Sequence, residues 1–382
     1  MIRRQTTQLV HDLASQFPAV LILGPRQCGK TTLAKEMLTG EYFDLEKPSD
    51  RQVFDGDPEL ALRRFPAPLI IDEAQTLPDL FPVLRALIDE DRRHVGRFFL
   101  LGSVNPFLLE KVSESLAGRV GIVELTPFLF SEVAAHDIAL NTLWLRGGMP
   151  DACLAAGTAQ WRRWQENYLR TFVERDIPRQ RAGISPVQMR RLIGLVAHRH
   201  GGLLNLSELA RALGVSYHTV REHLDVLEAH FIIRRLPPYF PNVGKRLVKS
   251  PKLYLRDCGV LHHLLGIDSE RALLGSPYCG RSWEGLMTEQ LITREQLADP
   301  AVECYHYRTH AGAEIDLVLK RGPERVGYEF KSSLSVSKRA WSTLAQAVVE
   351  QVIDRGVVVY AGTRRFQPAQ SVEVLPAADL LG

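Results

Sequence analysis

The first third of the chain alternates uninterrupted apolar runs with segments of helical composition. Residues 19–23, 69–71 and 98–101 are wholly apolar and 121–125 nearly so, the pattern of strands buried on both faces. Between them lie stretches such as 32–38, rich in Leu, Ala, Lys, Glu and Met, which favour helix. Ahead of the first run, Leu9, Val10, Leu13 and Phe17 fit a short amphipathic helix. Residues 1–126 therefore predict a parallel sheet with helices on both faces.

Downstream the pattern changes. Gly147-Gly148-Met149-Pro150 is a break that ends a small helical lid. Trp161, Trp164, Tyr168, Leu169 and Phe172 recur at helical spacing, as core residues do, and Glu174-Arg175-Asp176 closes that helix in a structural or interdomain role. Residues 207–215 and 216–224 read as helix, turn at Gly214, helix. Ser207 and Ser216 are the expected N-caps, with Leu209, Ala210, Leu213, Val220, Leu224 and Leu227 as shared core. Runs 231–236 and 252–255 would add a hairpin wing. Past residue 280, a helix at 283–289 and strands at 315–319 and 326–330 indicate a third α/β part. The expected domains are 1–135, 136–260 and 261–382.

Chemistry enters with the octet Gly24-Pro25-Arg26-Gln27-Cys28-Gly29-Lys30-Thr31, which satisfies G-x-x-x-x-G-K-[ST] directly after the first apolar run. Glycines let such a loop close round phosphate oxygens, and the helix that follows, opening with Thr32, presents its positive end to the anion. Lys30 would reach the β and γ phosphates and Thr31 would place its hydroxyl on Mg²⁺. Leu69-Ile70-Ile71-Asp72-Glu73 is a strand ending in two acids: Asp72 would hold Mg²⁺ and Glu73 would polarise the attacking water. At the end of the third run, Ser103, or second Asn105, could sense the γ phosphate. Arg119, on a small-residue turn, is either an arginine finger, in its own subunit or across an interface, or a solvated surface arginine.

In this order, FPAVLILGPRQCGKTTLAK, YFDLE, PLIIDEAQ, FFLLGS and LAGRV resemble the AAA-type ATPase domain of a widespread prokaryotic family. Members carry a C-terminal domain similar to a restriction endonuclease fold. The resemblance covers essentially the whole chain and implies ATP rather than GTP.

At 382 residues with 45% hydrophobic and 24% charged residues, the composition is that of a soluble protein of two or three domains. No run approaches the roughly 18 apolar residues of a membrane span, and the basic Met1-Ile2-Arg3-Arg4 leads into a polar stretch, so a cytoplasmic protein without a signal peptide is expected. Five scattered cysteines form no C-x-x-C pair, which argues against a zinc site or a disulfide framework. Cys28, inside the phosphate loop, raises the question of oxidation sensitivity. The net charge of +3 is unevenly spread: residues 161–256 hold 18 Lys or Arg against 7 Asp or Glu. Nucleic acid, DNA favoured, is therefore the expected partner of the winged-helix segment. Tyr217, His218, Thr219 and Arg221 would sit at the start of the recognition helix, with Arg234, Arg235, Lys245, Arg246 and Lys249 on phosphates. The alternative is a rigid connector or an oligomer contact.

The last third carries a second set of acids: Glu284, Asp316, and Glu329 with Lys331 two residues on. On a strand, residues two apart face the same way. Asp316 and Glu329 side by side would bind one or two Mg²⁺, Lys331 would orient water, and Glu284 would complete the site from the helix. This order resembles the PD-(D/E)XK nuclease fold, with Arg308 and Gln346 as DNA-side neighbours. Domains of this fold are sometimes inactive scaffolds. The sequence thus predicts a Mg²⁺-dependent ATPase coupled to nucleic-acid binding, and leaves open whether the C-terminal domain cleaves. Its rivals are an ATP-dependent switch or homo-oligomer whose nuclease-like domain is inactive, and a transcriptional regulator.

Overall fold

The apolar runs of the first third assemble into a five-stranded parallel sheet. Its strands are β1 (Ala19–Gly24), β2 (Glu41–Asp44), β3 (Leu69–Asp72), β4 (Phe98–Ser103) and β5 (Val120–Glu124), in the order β2-β3-β4-β1-β5. The computed structural model describes residues 2–103, 112, 114–180, 184–241 and 246–382. Every residue of β1 and β3 is buried, because the two faces are covered by different helices. Leu21, Leu23, Ile71 and Leu100 pack with Phe81, Leu84 and Leu87 of α3 (Leu80–Glu90). Val20, Ile22, Ile70 and Leu101, one residue out of phase, pack with Val10 of α1 (Thr6–Ala14) and Leu33 of α2 (Lys30–Met37). The alternation within a wholly apolar run is the period of a strand covered on both sides.

The chain divides into two compact units, Met1–Phe128 with Ala229–Phe231, and Leu129–Glu228 with Ile232–Gly382. In the second unit, α4 (Leu140–Arg146), α5 (Thr158–Thr171) and α6 (Pro186–His198) precede a helix pair, α7 (Leu206–Leu213) and α8 (Tyr217–Ala229). Leu209, Ala210, Leu213, Val220, Leu224 and Leu227 share one core, and Gly214 turns the chain with φ 70°. The N-cap of α7 is Asn205, whose side chain accepts from Glu208 N at 3.1 Å, so the cap lies two residues before the expected Ser207. Ser216 does cap α8, accepting from Thr219 N at 3.0 Å. A three-stranded antiparallel sheet follows in the order β6-β8-β7, from β6 (Gly202–Leu203), β7 (Ile233–Leu236) and β8 (Lys252–Leu255).

The expected boundary at residues 260/261 falls inside α9 (Cys258–Leu264). Beyond it, α10 (Cys279–Ala298) and α11 (Lys338–Val349) accompany a six-stranded mixed sheet in the order β13-β14-β12-β11-β10-β9. These strands are β9 (Glu303–Arg308), β10 (Glu314–Arg321), β11 (Glu324–Lys331), β12 (Arg355–Tyr360), β13 (Phe366–Ala369) and β14 (Val372–Pro376). The edge at β9 is covered: Tyr239 N donates to His306 O at 2.7 Å and Val248 N to Arg308 O at 3.0 Å, which satisfies backbone groups that an open edge leaves unpaired.

A polar clamp ties the helices of this unit together. His262, fully buried, donates from Nδ1 to Leu145 O at 2.9 Å and accepts at Nε2 from the Ser282 hydroxyl at 2.7 Å. Ser282 in turn accepts from Trp144 Nε1 at 2.9 Å. His262 and Ser282 each have one donor and one acceptor matched, and Trp144 has its single donor matched, the condition for keeping polar groups in a core. Among the described residues no helix is long and apolar enough to cross a membrane.

Candidate nucleotide and acidic sites

Parallel strands bring their carboxyl ends to one edge of a sheet, where ligands of such folds bind. At that edge the phosphate loop leaves β1, Asp72 ends β3, and Ser103, the last residue of β4, is in register with Gly24. Gly24 has no room for a side chain: a Cβ would lie 2.2 Å from Leu125 O. Within the loop Gln27 (φ 63°) and Gly29 (φ 100°) take left-handed conformations, which turn amides inward as an anion nest requires. Pro25 is buried, Arg26 half-buried and Thr32 exposed. Asn105 lies outside the described residues.

In this state the loop's own carbonyls hold its lysine: Lys30 Nζ donates to Gly24 O and Pro25 O, each at 3.0 Å. Thr31 Oγ1 donates to Asp72 Oδ2 at 2.6 Å, so the two expected Mg²⁺ ligands already touch. A hydroxyl and a buried carboxylate converging beside a phosphate loop are the hard oxygen donors that Mg²⁺ takes, and the residues fit that ion. Glu73 follows with φ 53°, a backbone conformation uncommon outside glycine and concentrated at functional sites. Burial pushes its carboxyl above the ordinary glutamate range, against the pull of Lys30. Gln75 donates to Glu73 Oε2.

Two residues of this site lie outside the phosphate-loop and acid-strand motifs. Tyr42 donates to Asp72 Oδ2 at 2.8 Å, while Lys35 lies over its ring at 4.1 Å. Buried Arg4 donates from Nη1 to Cys28 O at 2.9 Å and from Nη2 to Thr126 O, and lies over the Phe128 ring at 4.9 Å. It pins the back of the loop from outside the domain's motifs. Only the hydroxyl on the strand beside the acid strand could have flagged Tyr42; Arg4 had no sequence signal beyond its charge.

Two questions left open by the sequence are narrowed here. Cys28 is fully buried and burial raises its thiol above the ordinary value, so it lacks the exposed thiolate that oxidation requires. Arg119 precedes β5, whose Val120 is in register with Ala19 at the start of β1. The phosphate loop begins after Gly24, so the arginine is at the opposite edge of the sheet, about 20 Å away at about 3.3 Å per strand residue. It pairs with Asp89 at 2.8 Å and cannot be a finger within its own subunit.

In the second unit, Tyr217, His218 and Arg221 are exposed on the first turns of α8, and Thr219 is half-buried with its hydroxyl 2.8 Å from Ser216 Oγ. Arg234 and Arg235 are not available to phosphates as expected. Arg234 forks onto Glu289, with Nη2 at 3.0 Å from Oε2, and Arg256 joins at 2.9 Å. Although burial opposes it, these two guanidinium groups hold Glu289 down at about 2. Arg235 is bound by Glu228 and, at 2.8 Å, by Asp225. Their charges compensate acids that the sequence distributes along α8 and α10. Lys245 lies outside the described residues.

The C-terminal acids do converge. The β10–β11 register pairs Leu317 with Tyr328, one step from Asp316 and Glu329, so these carboxyls face each other across the ladder. Lys331 donates to Glu329, and Asp316 Oδ2 accepts from Phe330 N at 3.0 Å. Burial first, then a neighbouring carboxylate, raises both acids: that neighbour is Glu284 for Asp316, and Asp316 for Glu329. The centre of the cluster, however, is filled by a residue from β8. Lys252 Nζ, with its side chain 1% exposed, is 2.7 Å from Glu284 Oε1, 2.7 Å from Glu314 Oε1 and 3.3 Å from Asp316 Oδ1. Tyr254 also donates to Glu284. As folded, the expected metal ligands Asp316 and Glu329 do not offer an open cation site, and among the described residues no group of three or more His, Cys, Asp or Glu is arranged to hold a metal. Arg308 pairs with Glu314 at 3.1 Å and Gln346 with Glu350 at 3.0 Å.

Residues 16–134 match the AAA domain, which implies nucleotide binding, typically Mg²⁺-ATP; 137–271 and 279–380 match two domains of unknown function, DUF8612 and DUF4143. A signal transduction ATPase with a tetratricopeptide repeat sensor from Pyrococcus horikoshii aligns with 78% of this chain and 50% of its own, at 10% identity and a TM-score of 0.29. The chain thus spans about half the length of that protein. Two proteins, uncharacterized protein Rv2008c of Mycobacterium tuberculosis and uncharacterized protein Mb2031c of Mycobacterium bovis, are each 40% identical over 386 residues, covering 99% of this chain and 84% of theirs. The chain belongs to the family of these mycobacterial proteins, with an N-terminal AAA domain followed by DUF8612 and DUF4143 domains.

Proposed function

We propose that this protein is a Mg²⁺-dependent ATPase that couples ATP turnover to engagement of nucleic acid, with a nuclease-like C-terminal domain that does not cut. The observation that carries the first part is the Thr31–Asp72 hydrogen bond with Glu73 next in the chain. It supports a loop in which amides from residues 24–31 and the start of α2 bind the phosphates. Lys30 exchanges the Gly24 and Pro25 carbonyls for phosphate oxygens. Thr31 and Asp72 hold Mg²⁺, which when bound neutralises charge on the β and γ phosphates. Glu73, next to Asp72 at the end of β3, orients and deprotonates the attacking water. Ser103, at the tip of β4, is the candidate sensor. Lys30→Ala should abolish ATP turnover; unchanged turnover in that variant rejects the assignment.

The nucleic-acid part is supported by the winged-helix arrangement and the exposed Tyr217, His218 and Arg221 at the start of α8. Duplex DNA is the favoured ligand. Filter binding at low salt is the direct measurement, and no affinity for DNA or RNA there rejects the partner. Against cutting stands Lys252, which occupies the acidic cluster. Incubation of wild type with DNA and RNA in Mg²⁺ or Mn²⁺, run on a denaturing gel, tests this: any nicking that Asp316→Ala removes overturns the non-cutting reading.

A further inference from the structure

We propose that Lys252 is the resident cation of the C-terminal acidic cluster and that it excludes divalent metal from the site. The proposal rests on the nuclease-like reading of this domain and adds a reason for its silence. Three carboxylates meet the ammonium: Glu284 from α10, and Glu314 and Asp316 from β10. Glu314 and Asp316 lie 30 and 32 residues beyond Glu284 in sequence, and all three converge on one atom from β8. A divalent ion binds such oxygens at about 2.0–2.6 Å. The ammonium stands among the same oxygens with its own positive charge, so an ion there would meet like charge and lose the ligands it needs.

Three further observations support a permanent occupant. Lys252 is buried, and an ammonium in that position persists only where carboxylates compensate it; here burial disfavours the charge, and Glu284, Asp316 and Glu314 reverse that. Its backbone is paired on both sides, with Leu203 of β6 and Leu236 of β7. Withdrawing the side chain by moving the strand would break both ladders. Tyr254, two residues on along β8, binds the same Glu284 oxygen, so one strand makes two contacts with the acid that should complete the metal site. The remaining acid, Glu329, is engaged by Lys331, and Glu314 also by Arg308.

The test is calorimetric titration of the full-length, nucleotide-free protein with Mn²⁺ alone. Wild type and Lys252→Arg should show no saturable site dependent on Glu284 and Asp316. Lys252→Ala should gain one Mn²⁺ per chain, bound at least tenfold more tightly than by wild type, and Glu284→Gln with Asp316→Asn in that background should abolish the gain. Should Lys252→Ala fold poorly, Lys252→Ala/Glu314→Gln removes one negative charge with the positive one and should show the same gain. A wild-type Mn²⁺ site lost in Glu284→Gln/Asp316→Asn, or no gain in both Lys252 variants, overturns the proposal. Nicking by wild type would instead overturn the non-cutting reading. Metal gain without nicking in Lys252→Ala would support the lysine's role while removing cleavage even from the opened site.

Discussion

At the scale of single residues, motif positions and their partners differed in legibility. Lys30, Thr31, Asp72 and Glu73 could be read from the sequence because their spacing is set by a local turn and two strand ends. Arg4, Tyr42 and Lys252 could not, because each reaches its partner from a distant part of the chain: Arg4 and Cys28 are 24 residues apart, Lys252 and Asp316 64. Arg234 and Arg235 illustrate the opposite failure, in which correct charge counting led to a wrong role. Their acids, Glu289, Glu228 and Asp225, neutralise them only after folding. This difference is measurable. Arg221→Ala, at an exposed position, should reduce the salt slope of DNA binding by about 1 and leave stability within about 0.5 kcal/mol. Arg234→Ala should leave the salt slope unchanged but cost on the order of 3 kcal/mol of stability, at the low end for a broken buried pair because Arg256 still compensates Glu289. Equal salt slopes in the two variants would remove α8 as the phosphate-contacting element.

Elements were legible where periodicity was strong. β1, β3 and β4 followed from apolar runs, and the α7–α8 pair from its glycine, whereas α7 begins earlier than expected because the Asn205 carboxamide accepts from Glu208 N, the third residue on. The joining of α4, α9 and α10 was not legible, since His262, Ser282 and Trp144 meet only in three dimensions. Their clamp has a pH signature. Burial lowers the His262 pKa from 6.5 to about 4, so the unfolded chain binds a proton here before the native one does. The neutral imidazole's stabilisation is therefore complete above about pH 6.5 and is lost as pH falls toward 4, by up to about 3 kcal/mol. His262→Gln should be less stable than wild type at pH 7, and the gap should shrink by about that amount at pH 4. A constant gap in denaturant titrations would mean that the histidine is not held neutral.

For the whole molecule, the separation into two compact units makes a prediction that no motif contains. All five tryptophans, Trp144, Trp161, Trp164, Trp283 and Trp341, belong to the unit formed by Leu129–Glu228 and Ile232–Gly382. Tryptophan fluorescence therefore follows the unfolding of that unit, while far-ultraviolet circular dichroism follows both. Two glycines separate the signals because each is required for a different physical reason. A Cβ at Gly24 would lie 2.2 Å from the backbone oxygen of Leu125 and demands movement of the packed backbone just past β5, a cost of about 3 kcal/mol. A Cβ at Gly214 meets nothing within 4 Å, and only the left-handed backbone at φ 70° resists it, a cost of about 1 kcal/mol. Gly24→Ala should shift the dichroism transition toward lower denaturant and leave the tryptophan transition in place. Gly214→Ala should move the tryptophan transition by the smaller amount. Two-state analysis with a single midpoint is then invalid for this chain. Should both probes shift together in Gly24→Ala, the units unfold as one cooperative body and the strain at the phosphate loop is shared by the entire chain.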